Sequence, residues 1–339
     1  MKKAWLYIVV ATVLFSSMET MLKFVAGQFN PIQLTFGRFL VGGLVLLPVA
    51  LRTLRRRGAK LDGKSMAYFA LLGFLGVALS MSFYQMAVTR IPASVVAVLF
   101  SSNPLFVALL AFLLLREPLG RNQVAGLLLD IVGIVVIVLP DRDSLDGLGL
   151  FCIFASTLLF AFYGVCGKRK CQQFGGVVVT CMSFLLGSAV MIVLAALSHI
   201  PALSAALTGA GLELFADIPF FTGYTLASLP IVLFIYVGVT GIGFTCYFLS
   251  MEVTSAQTTS LVFFFKPALA PLLAFLVLLI KSIISIPSSL MGMKIMLTEY
   301  GFKDALVNMY PSFEAALTKV AEFSVTGGSF NMLYNISSL

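Results

Sequence analysis

Long apolar runs separated by short polar connections follow one another along most of the chain. The runs are continuous, without the alternation typical of transmembrane β-strands, and most are close to the roughly 20 residues that a spanning helix needs. The pattern predicts an all-α integral membrane protein with nine clear transmembrane helices. The nine runs cover residues 4–25, 31–51, 66–88, 93–115, 123–139, 148–167, 176–197, 229–250 and 256–279.

The chain after residue 280 departs from this pattern. Residues 261–279 gain roughly −6 kcal/mol on insertion against about +3 for Lys266, whereas residues 283–297 gain only about −3 against about +3 for Lys294. We therefore expect that a tenth helix near 286–302 does not span, and that residues 281–339 form an atypical tail. Two explanations stay open, an unusual C terminus or a chain truncated or frameshifted near residue 280.

The composition agrees with a membrane protein. Hydrophobic residues make up 60% of the 339 positions, charged residues only 11%, and the mean hydropathy is +1.05. A soluble domain carries about 25% charged residues, so an ordinary cytosolic enzyme is excluded. The net charge of +8 does not indicate nucleic-acid binding, because the basic residues lie between apolar runs and form no basic face.

The basic residues predict the orientation, since Lys and Arg concentrate in cytoplasmic loops. With the N terminus inside, the outer connections before residue 280 hold only Arg90 and Arg142. We therefore expect a multi-pass protein of the cytoplasmic (inner) membrane with a cytoplasmic N terminus and an uncleaved first helix. The inner segments hold Lys2, Lys3, Arg52, Arg55, Arg56, Arg57, Lys60, Lys64, Arg116, Arg121, Lys168, Arg169 and Lys170.

The two halves of the chain resemble each other. Tyr84 and Pro104 recur 163 residues later as Tyr247 and Pro267, within matching stretches of 32 residues. A repeat of five helices has an odd number of crossings, so its two copies have opposite orientations in the membrane. The sequence predicts inverted five-helix repeats, the first in residues 1–140 and the second in residues 147–280. Inverted repeats are typical of secondary transporters.

The chain resembles the drug/metabolite transporter superfamily, EamA type, in several motifs. They are Asn103-Pro104, Arg116-Glu117-Pro118, Gly126, Gly133, Arg38, Gly238, Gly241, Gly243, Tyr247, Ala256 and Lys266-Pro267-Ala268. The resemblance implies ten helices around a central cavity lined by helices 1, 3, 4, 6, 8 and 9. It also implies a secondary transporter that works by alternating access, which we expect to export a small organic metabolite.

Polar residues inside the runs are the expected substrate-binding residues. Lys266 could hold a carboxylate or phosphate, or it could pair with Glu19 or Asp130. Its repeat mate Asn103 could orient a polar group or bond across helices. Three tyrosines could wall a mostly apolar pocket or simply pack. These are Tyr84, Tyr163 and Tyr247.

Ionisable residues within spans are costly and therefore mark functional positions. Glu19 and Lys23 are four residues apart on one helix face, where they could couple transport to protons or form a structural ion pair. Arg38 and Asp130 are expected to form structural pairs.

The alternatives to a transporter are two. A membrane enzyme is not expected, because the chain has neither a nucleophile elbow nor a metalloprotease motif. With His199 as the single histidine and no paired cysteines, no metal and no cofactor are expected. A non-transporting remnant or membrane interaction protein is the alternative that the tail suggests. The expected partners are a small-molecule substrate, the lipid bilayer and a second copy of the chain in a homodimer, but no nucleic acid.

Overall fold

A computed structural model describes residues 2–118, 120, 124–129, 131–132 and 146–284 of the chain. Every regular element within these ranges is a helix. The chain divides into two units, Met1–Pro271 and Leu272–Leu339. The described part of the second unit is the last part of one long helix, and everything that follows concerns the first unit unless stated.

The first half of the chain begins with three long helices. These are α1 (Lys2–Phe24), α2 (Pro31–Arg57) and α3 (Gly63–Arg90). The predicted fourth run is broken at Ser102 into α4 (Ala93–Ser101) and α5 (Asn103–Leu110), which continues as a π-helical turn at Ala111–Leu115. The break falls beside Pro104, whose ring nitrogen has no N–H to donate to a continuous helix.

The second half repeats the same kinds of element. The long helices are α6 (Gly147–Phe174), α7 (Gly176–Leu197), α9 (Leu229–Val253) and α10 (Ala256–Ile284). Between α7 and α9 the chain forms the short helix α8 (Pro201–Gly209) and a 3₁₀ turn at Glu213–Phe215. This part of the chain carried no helix in the sequence prediction, because its apolar residues are too few for a span.

Seven helical segments of the described chain are long and apolar enough to cross a membrane. They confirm seven of the predicted runs, and the ninth run lies within α10. The fifth run, 123–139, is helical at 124–129 and 131–132. Asp130 and Gly133 lie outside the described residues, as do residues 285–339, which include the tenth-helix region 286–302. Residues 281–284 of the tail continue α10. Apolar side chains such as Leu6, Leu109 and Phe151 are exposed on the outside, as lipid contact requires.

The helix ends meet at two opposite faces of the bundle. At one face, the basic end, Arg57 at the end of α2 pairs with Glu252 near the end of α9, and Lys168 of α6 pairs with Glu117. At the other face, the loop end, Arg90 at the end of α3 pairs with Asp146 at the start of α6, at 3.3 Å. Successive long helices therefore run in alternating directions between these two faces.

Glycine lets two helices approach each other near the middle of the bundle. A Cβ atom added to Gly73 of α3 would overlap the backbone of Ser183 and Gly187 of α7. A Cβ atom on Gly187 would in turn meet the carbonyl of Gly73. The close contact of α3 and α7 therefore depends on both glycines.

Two of the long helices contain π-helical segments. In α3 the segment is Phe74–Leu79, and in α9 it is Phe234–Gly243. Such segments leave the i→i−4 pattern of an α-helix and occur frequently at functional sites.

Candidate functional site

A small cavity lies between the helices inside the first unit, with a volume of about 40 Å³. That space holds only a few water molecules, so a small molecule fits only when the surrounding side chains move. Residues from α1, α2, α3, α4, α6, α9 and α10 converge on it, so each half of the chain contributes part of the wall. The lining residues are Phe15, Met18, Arg38, Met81, Tyr84, Phe100, Phe160, Phe244, Phe263 and Lys266.

Lys266 forms an ion pair across the cavity wall with Glu19 of α1. The distance from Nζ to Oε1 is 2.5 Å, and the lysine side chain is only 12% exposed. The second carboxylate oxygen of Glu19 is buried and has no hydrogen-bond partner among the described residues. Glu19 is one of the two partners that the sequence left open for Lys266; the other, Asp130, lies outside the described residues. Lys23 lies one turn further along α1 and is exposed.

Arg38 is the second cation of the cavity and is 4% exposed. Its guanidinium nitrogens donate to the sulfur atoms of Met18 and Met81, each at 3.2 Å. The guanidinium carbon also lies 4.7 Å from the ring centre of Phe39. Nε has no hydrogen-bond partner in the described part of the chain. Arg38 thus makes no ion pair there, contrary to the structural pair that the sequence suggested.

Aromatic rings form most of the remaining wall. Phe100 contacts Phe160 and Phe263 at centroid distances of 5.4 and 5.9 Å, and Phe15 stacks on Phe263 at 5.7 Å. The ring of Tyr84 meets Phe100 edge-on at 5.2 Å. Offset and edge-on geometries of this kind stabilise aromatic clusters. The wall is therefore packed and apolar apart from its charged residues.

The predicted site residues fall into two groups. Lys266 and Tyr84 line the cavity, whereas Tyr163, Tyr247 and Asn103 are fully buried and lie outside its lining. Tyr163 bonds Ser183 at 3.0 Å, and the Asn103 amide donates to the Thr157 carbonyl at 3.3 Å.

Tyr247 packs on two of the lining rings. Its ring lies 5.5 Å from that of Phe263 and 6.4 Å from that of Phe15. Its hydroxyl is buried and has no hydrogen-bond partner among the residues that the structure describes. Tyr247 therefore supports the wall from behind.

Two ion pairs hold the basic end together, and we call them the clasp. In the first, Lys168 contacts Glu117 at 2.5 Å and also donates to the carbonyl of Thr254 at 2.6 Å. In the second, Arg57 pairs with Glu252, whose other oxygen accepts the backbone N–H of Gly176 at 2.9 Å. The first pair therefore joins α6 to the chain that follows α5, and the second joins α2 to α9.

The loop end is bridged by polar contacts to the segment between α7 and α9. Asn30 donates to the carbonyl of Leu214 at 3.3 Å, and Gln33 donates to that of Thr222 at 2.8 Å. Together with the Arg90–Asp146 pair, these contacts link helix ends from both halves of the chain. Polar contacts thus bridge the bundle on both sides of the cavity.

Sequence reasoning missed part of this arrangement. Met18, Met81 and the phenylalanines of the wall gave no signal, because apolar residues on a spanning helix look alike whether they face lipid or a cavity. Glu117 and Lys168 appeared only as a motif residue and a loop charge. The polar position of Glu117 beside Pro118, at a predicted helix end, was the one signal that could have indicated a contact.

The fold, the apolar exterior and the charged interior cavity define a multi-pass helical membrane protein. The model of the EamA-like transporter family matches residues 2–139 and again residues 147–297. The chain belongs to the EamA-like transporter family, within the drug/metabolite transporter superfamily.

Relatives of this chain agree with that family. A protein of Clostridium kluyveri named "Uncharacterized transporter" is 32% identical over 286 residues, which are 82% of this chain and 86% of the relative. Protein PecM of Dickeya dadantii is 27% identical over 61% of this chain and 64% of its own length. A solved crystal structure shares the fold, with a TM-score of 0.59 and 20% identity over 89% of this chain and 96% of the other. The family and these names point to a transporter, and a transporter is not an enzyme.

Proposed function

We propose that this protein is a secondary transporter that exports a small organic metabolite across the cytoplasmic membrane by alternating access. The observation that carries the proposal is the cavity between helices of both halves, with Arg38 and the Lys266–Glu19 pair in an otherwise aromatic wall. Buried charges in spanning helices are retained where they bind or move a substrate. The family match over both halves does not favour a non-transporting remnant.

The proposal includes inverted five-helix repeats, of which the second keeps four clear spanning helices. Equivalent helix ends lie 163 residues apart: α3 ends at Arg90 and α9 at Val253, while α4 begins at Ala93 and α10 at Ala256. At the same offset the π-helical segment of α3 falls inside that of α9. These coincidences support repeats in residues 1–140 and 147–280, with 281–339 as a distinct tail.

In this proposal the clasp is the gate at the basic end. Each of its ion pairs joins a residue of the first half to a residue of the second half, so an opening at this end must break both pairs. The Lys and Arg of the inner segments support a cytoplasmic location for the basic end and the N terminus. A substrate would then enter the cavity from the cytoplasm after the clasp opens and leave through the loop end.

Each predicted site residue has a role in the cycle. Lys266 and Tyr84 contact the substrate directly, and Arg38 joins them. Asn103 and Tyr163 become substrate contacts only when the aromatic wall moves aside in an open state, whereas the ring of Tyr247 supports that wall from behind. Glu19 is the residue proposed for ion coupling, with Lys23 beside it, because a proton on the Glu19 carboxylate would release Lys266. A homodimer finds no support in the described residues and is not part of the proposal.

The test is metabolite exchange in proteoliposomes. Vesicles with the reconstituted protein are incubated with a cytoplasmic metabolite extract, and the compounds that enter are measured by mass spectrometry. At least one compound should enter with the unchanged protein and fail to enter with the Lys266→Met variant. The matched control is Lys64→Met, because Lys64 is exposed outside the cavity, and it should transport normally.

The gate has its own measurement. A Met81→Cys variant places a thiol in the cavity wall, and the described cysteines of the chain are all buried, so background labelling is low. A Glu252→Gln change should raise labelling by a membrane-impermeant thiol reagent added from the basic end. Equal labelling with and without the Glu252 carboxylate would remove the clasp from the gating scheme.

A further inference from the structure

Arg38 is a buried cation whose hydrogen-bond acceptors are sulfur atoms. Its terminal nitrogens donate to Met18 and Met81, and Nε is buried without a partner among the described residues. A thioether sulfur is a weak acceptor, and arginine remains charged under all ordinary conditions. A buried charge without a strong partner is costly to keep. The position therefore fits a guanidinium that receives a stronger acceptor from a ligand.

The charge balance of the cavity points the same way. Arg38 and Lys266 bring two positive charges, and Glu19 brings one negative charge that is already paired with Lys266 at 2.5 Å. The positive charge of Arg38 therefore has no negative partner among the described residues of the cavity. One negative charge on a ligand would neutralise it, and two would exceed it.

The remaining residues of the wall indicate the chemistry of the rest of the ligand. Five phenylalanines and Tyr84 surround the two cations. A ligand that buried many polar groups against these rings would lose their hydrogen bonds to water without replacement. A flat apolar body would instead stack on or meet the edges of the rings.

We propose that the cavity binds an organic monoanion, in which one carboxylate is carried by an apolar ring-bearing body. The carboxylate accepts two parallel hydrogen bonds from Arg38 in place of the sulfurs of Met18 and Met81, since paired oxygens match the guanidinium fork. Arg38 is then the residue that selects for charge, and the aromatic wall selects for shape. This inference rests on the proposed function, of which it names the substrate class.

The experiment measures thermal unfolding of the full chain in detergent at neutral pH. Four probes of similar size differ in charge: hydrocinnamate (a carboxylate), hydrocinnamamide (neutral), phenethylamine (a cation) and free phenylalanine (a zwitterion). Hydrocinnamate should raise the unfolding midpoint in a saturable way at concentrations up to about 10 mM, where a millimolar site is filled. The other three should leave the midpoint unchanged.

The variants test the role of Arg38 itself. Arg38→Met should weaken hydrocinnamate binding at least about tenfold, because a charge-assisted hydrogen bond is lost, and Arg38→Lys should restore part of the affinity. The matched control is Arg56→Gln, which removes an exposed positive charge from the same helix and should bind as the unchanged protein does. If Arg38→Met does not fold, the comparison of the four probes on the unchanged protein still decides.

Two results would overturn the inference. One is a midpoint raised equally by the amide, the amine or the zwitterion, and the other is no response to hydrocinnamate at all. Flux separates this outcome from a failure of the proposed function. If compounds without a carboxylate enter vesicles and their entry depends on Lys266, the proposed transport function stands and the monoanion substrate class is rejected. If carboxylate binding depends on Arg38 but no compound enters the vesicles, the binding site stands and the proposed transport function is rejected.

Discussion

Glu117 accepts the backbone N–H of Ala256 with both oxygens of its carboxylate, at 3.2 and 3.1 Å. The two residues are 139 positions apart. Ala256 is the first residue of α10, so its N–H has no acceptor within the helix and needs one from elsewhere. The same carboxylate binds Lys168. The side chain of Glu117 thus caps the start of α10 and forms one of the two ion pairs of the clasp.

Replacement of Glu117 by Gln should weaken both contacts at once. An amide can still accept one hydrogen bond, but the charge that binds Lys168 is gone. We expect the unfolding free energy to fall by about 1–3 kcal/mol, the cost of unpairing a partly buried charged group, seen as a lower thermal midpoint in detergent. Glu213→Gln changes an exposed carboxylate and should leave the midpoint unchanged. Equal midpoints for both variants would mean that Glu117 stabilises nothing.

The contact between α3 and α7 should not tolerate a side chain at Gly187. In Gly187→Val the added atoms meet the carbonyl of Gly73 and the side chain of Val77. Overpacking of this kind costs about 1–3 kcal/mol, so the thermal midpoint should fall. Gly209→Ala is the control, because a Cβ atom there meets nothing within 4 Å. A Gly187→Val protein as stable as the control would show that the two helices can separate.

Tyr84 and Tyr247, two predicted site tyrosines that are 163 residues apart, should respond differently to replacement. Tyr84→Ala removes a ring from the cavity wall, and an aromatic contact is worth about 0.5–1.5 kcal/mol. We expect the KM for the compound found by metabolite exchange to rise about three- to tenfold. Tyr247→Phe removes a hydroxyl that has no partner in the described residues and should leave KM unchanged. A rise in KM for Tyr247→Phe instead would place that hydroxyl on the substrate.

We expect Asp62 to make the stability of the folded protein depend on pH in the acidic range. It caps the start of α3, where hydrogen bonds from the Ser65 side chain and backbone N–H hold the pKa of Asp62 below its usual range. Because the folded pKa is the lower one, its stabilisation is present above the ordinary carboxyl pKa and is lost as the pH falls through the lowered value.

The measurement compares the unchanged protein with Asp62→Ala across pH. The difference in thermal midpoint should be constant from pH 8 to 5 and should shrink below about pH 4, near the ordinary pKa of a carboxyl group. A difference that is the same at all pH values would mean that the charge of Asp62 plays no part in the cap.

The sequence predicted the spans because the part of a helix that crosses the lipid must be apolar. It did not predict where the helices extend past their apolar cores, as α2 does to Arg57 and α6 to Phe174. Polar turns beyond the lipid are helical because other chain segments bind them, and that information lies far away in sequence. The 163-residue offset of the tyrosines and prolines predicted a repeat, and one family model matches both halves of the chain.

The candidate site was predicted only where a residue was out of place in lipid. Lys266 and Glu19 stood out as charges, and the structure pairs them. Arg38 stood out too, but a charge alone does not reveal whether its neighbours are carboxylates or the sulfurs of Met18 and Met81. Tyr163 and Asn103 resemble cavity residues in sequence, yet their hydrogen bonds to Ser183 and Thr157 draw them into the packed core.

The π-helical segment Phe234–Gly243 has a consequence for how α9 can change in length. A π-helical turn holds one residue more than the α-helical turn that would replace it. Deletion of a single residue inside the segment can therefore convert it to α-helix while both flanks keep their rotational phase. The same deletion at Phe248 would turn every later side chain of α9 by about 100°. Among related chains, single-residue gaps in this helix should fall between Phe234 and Gly243.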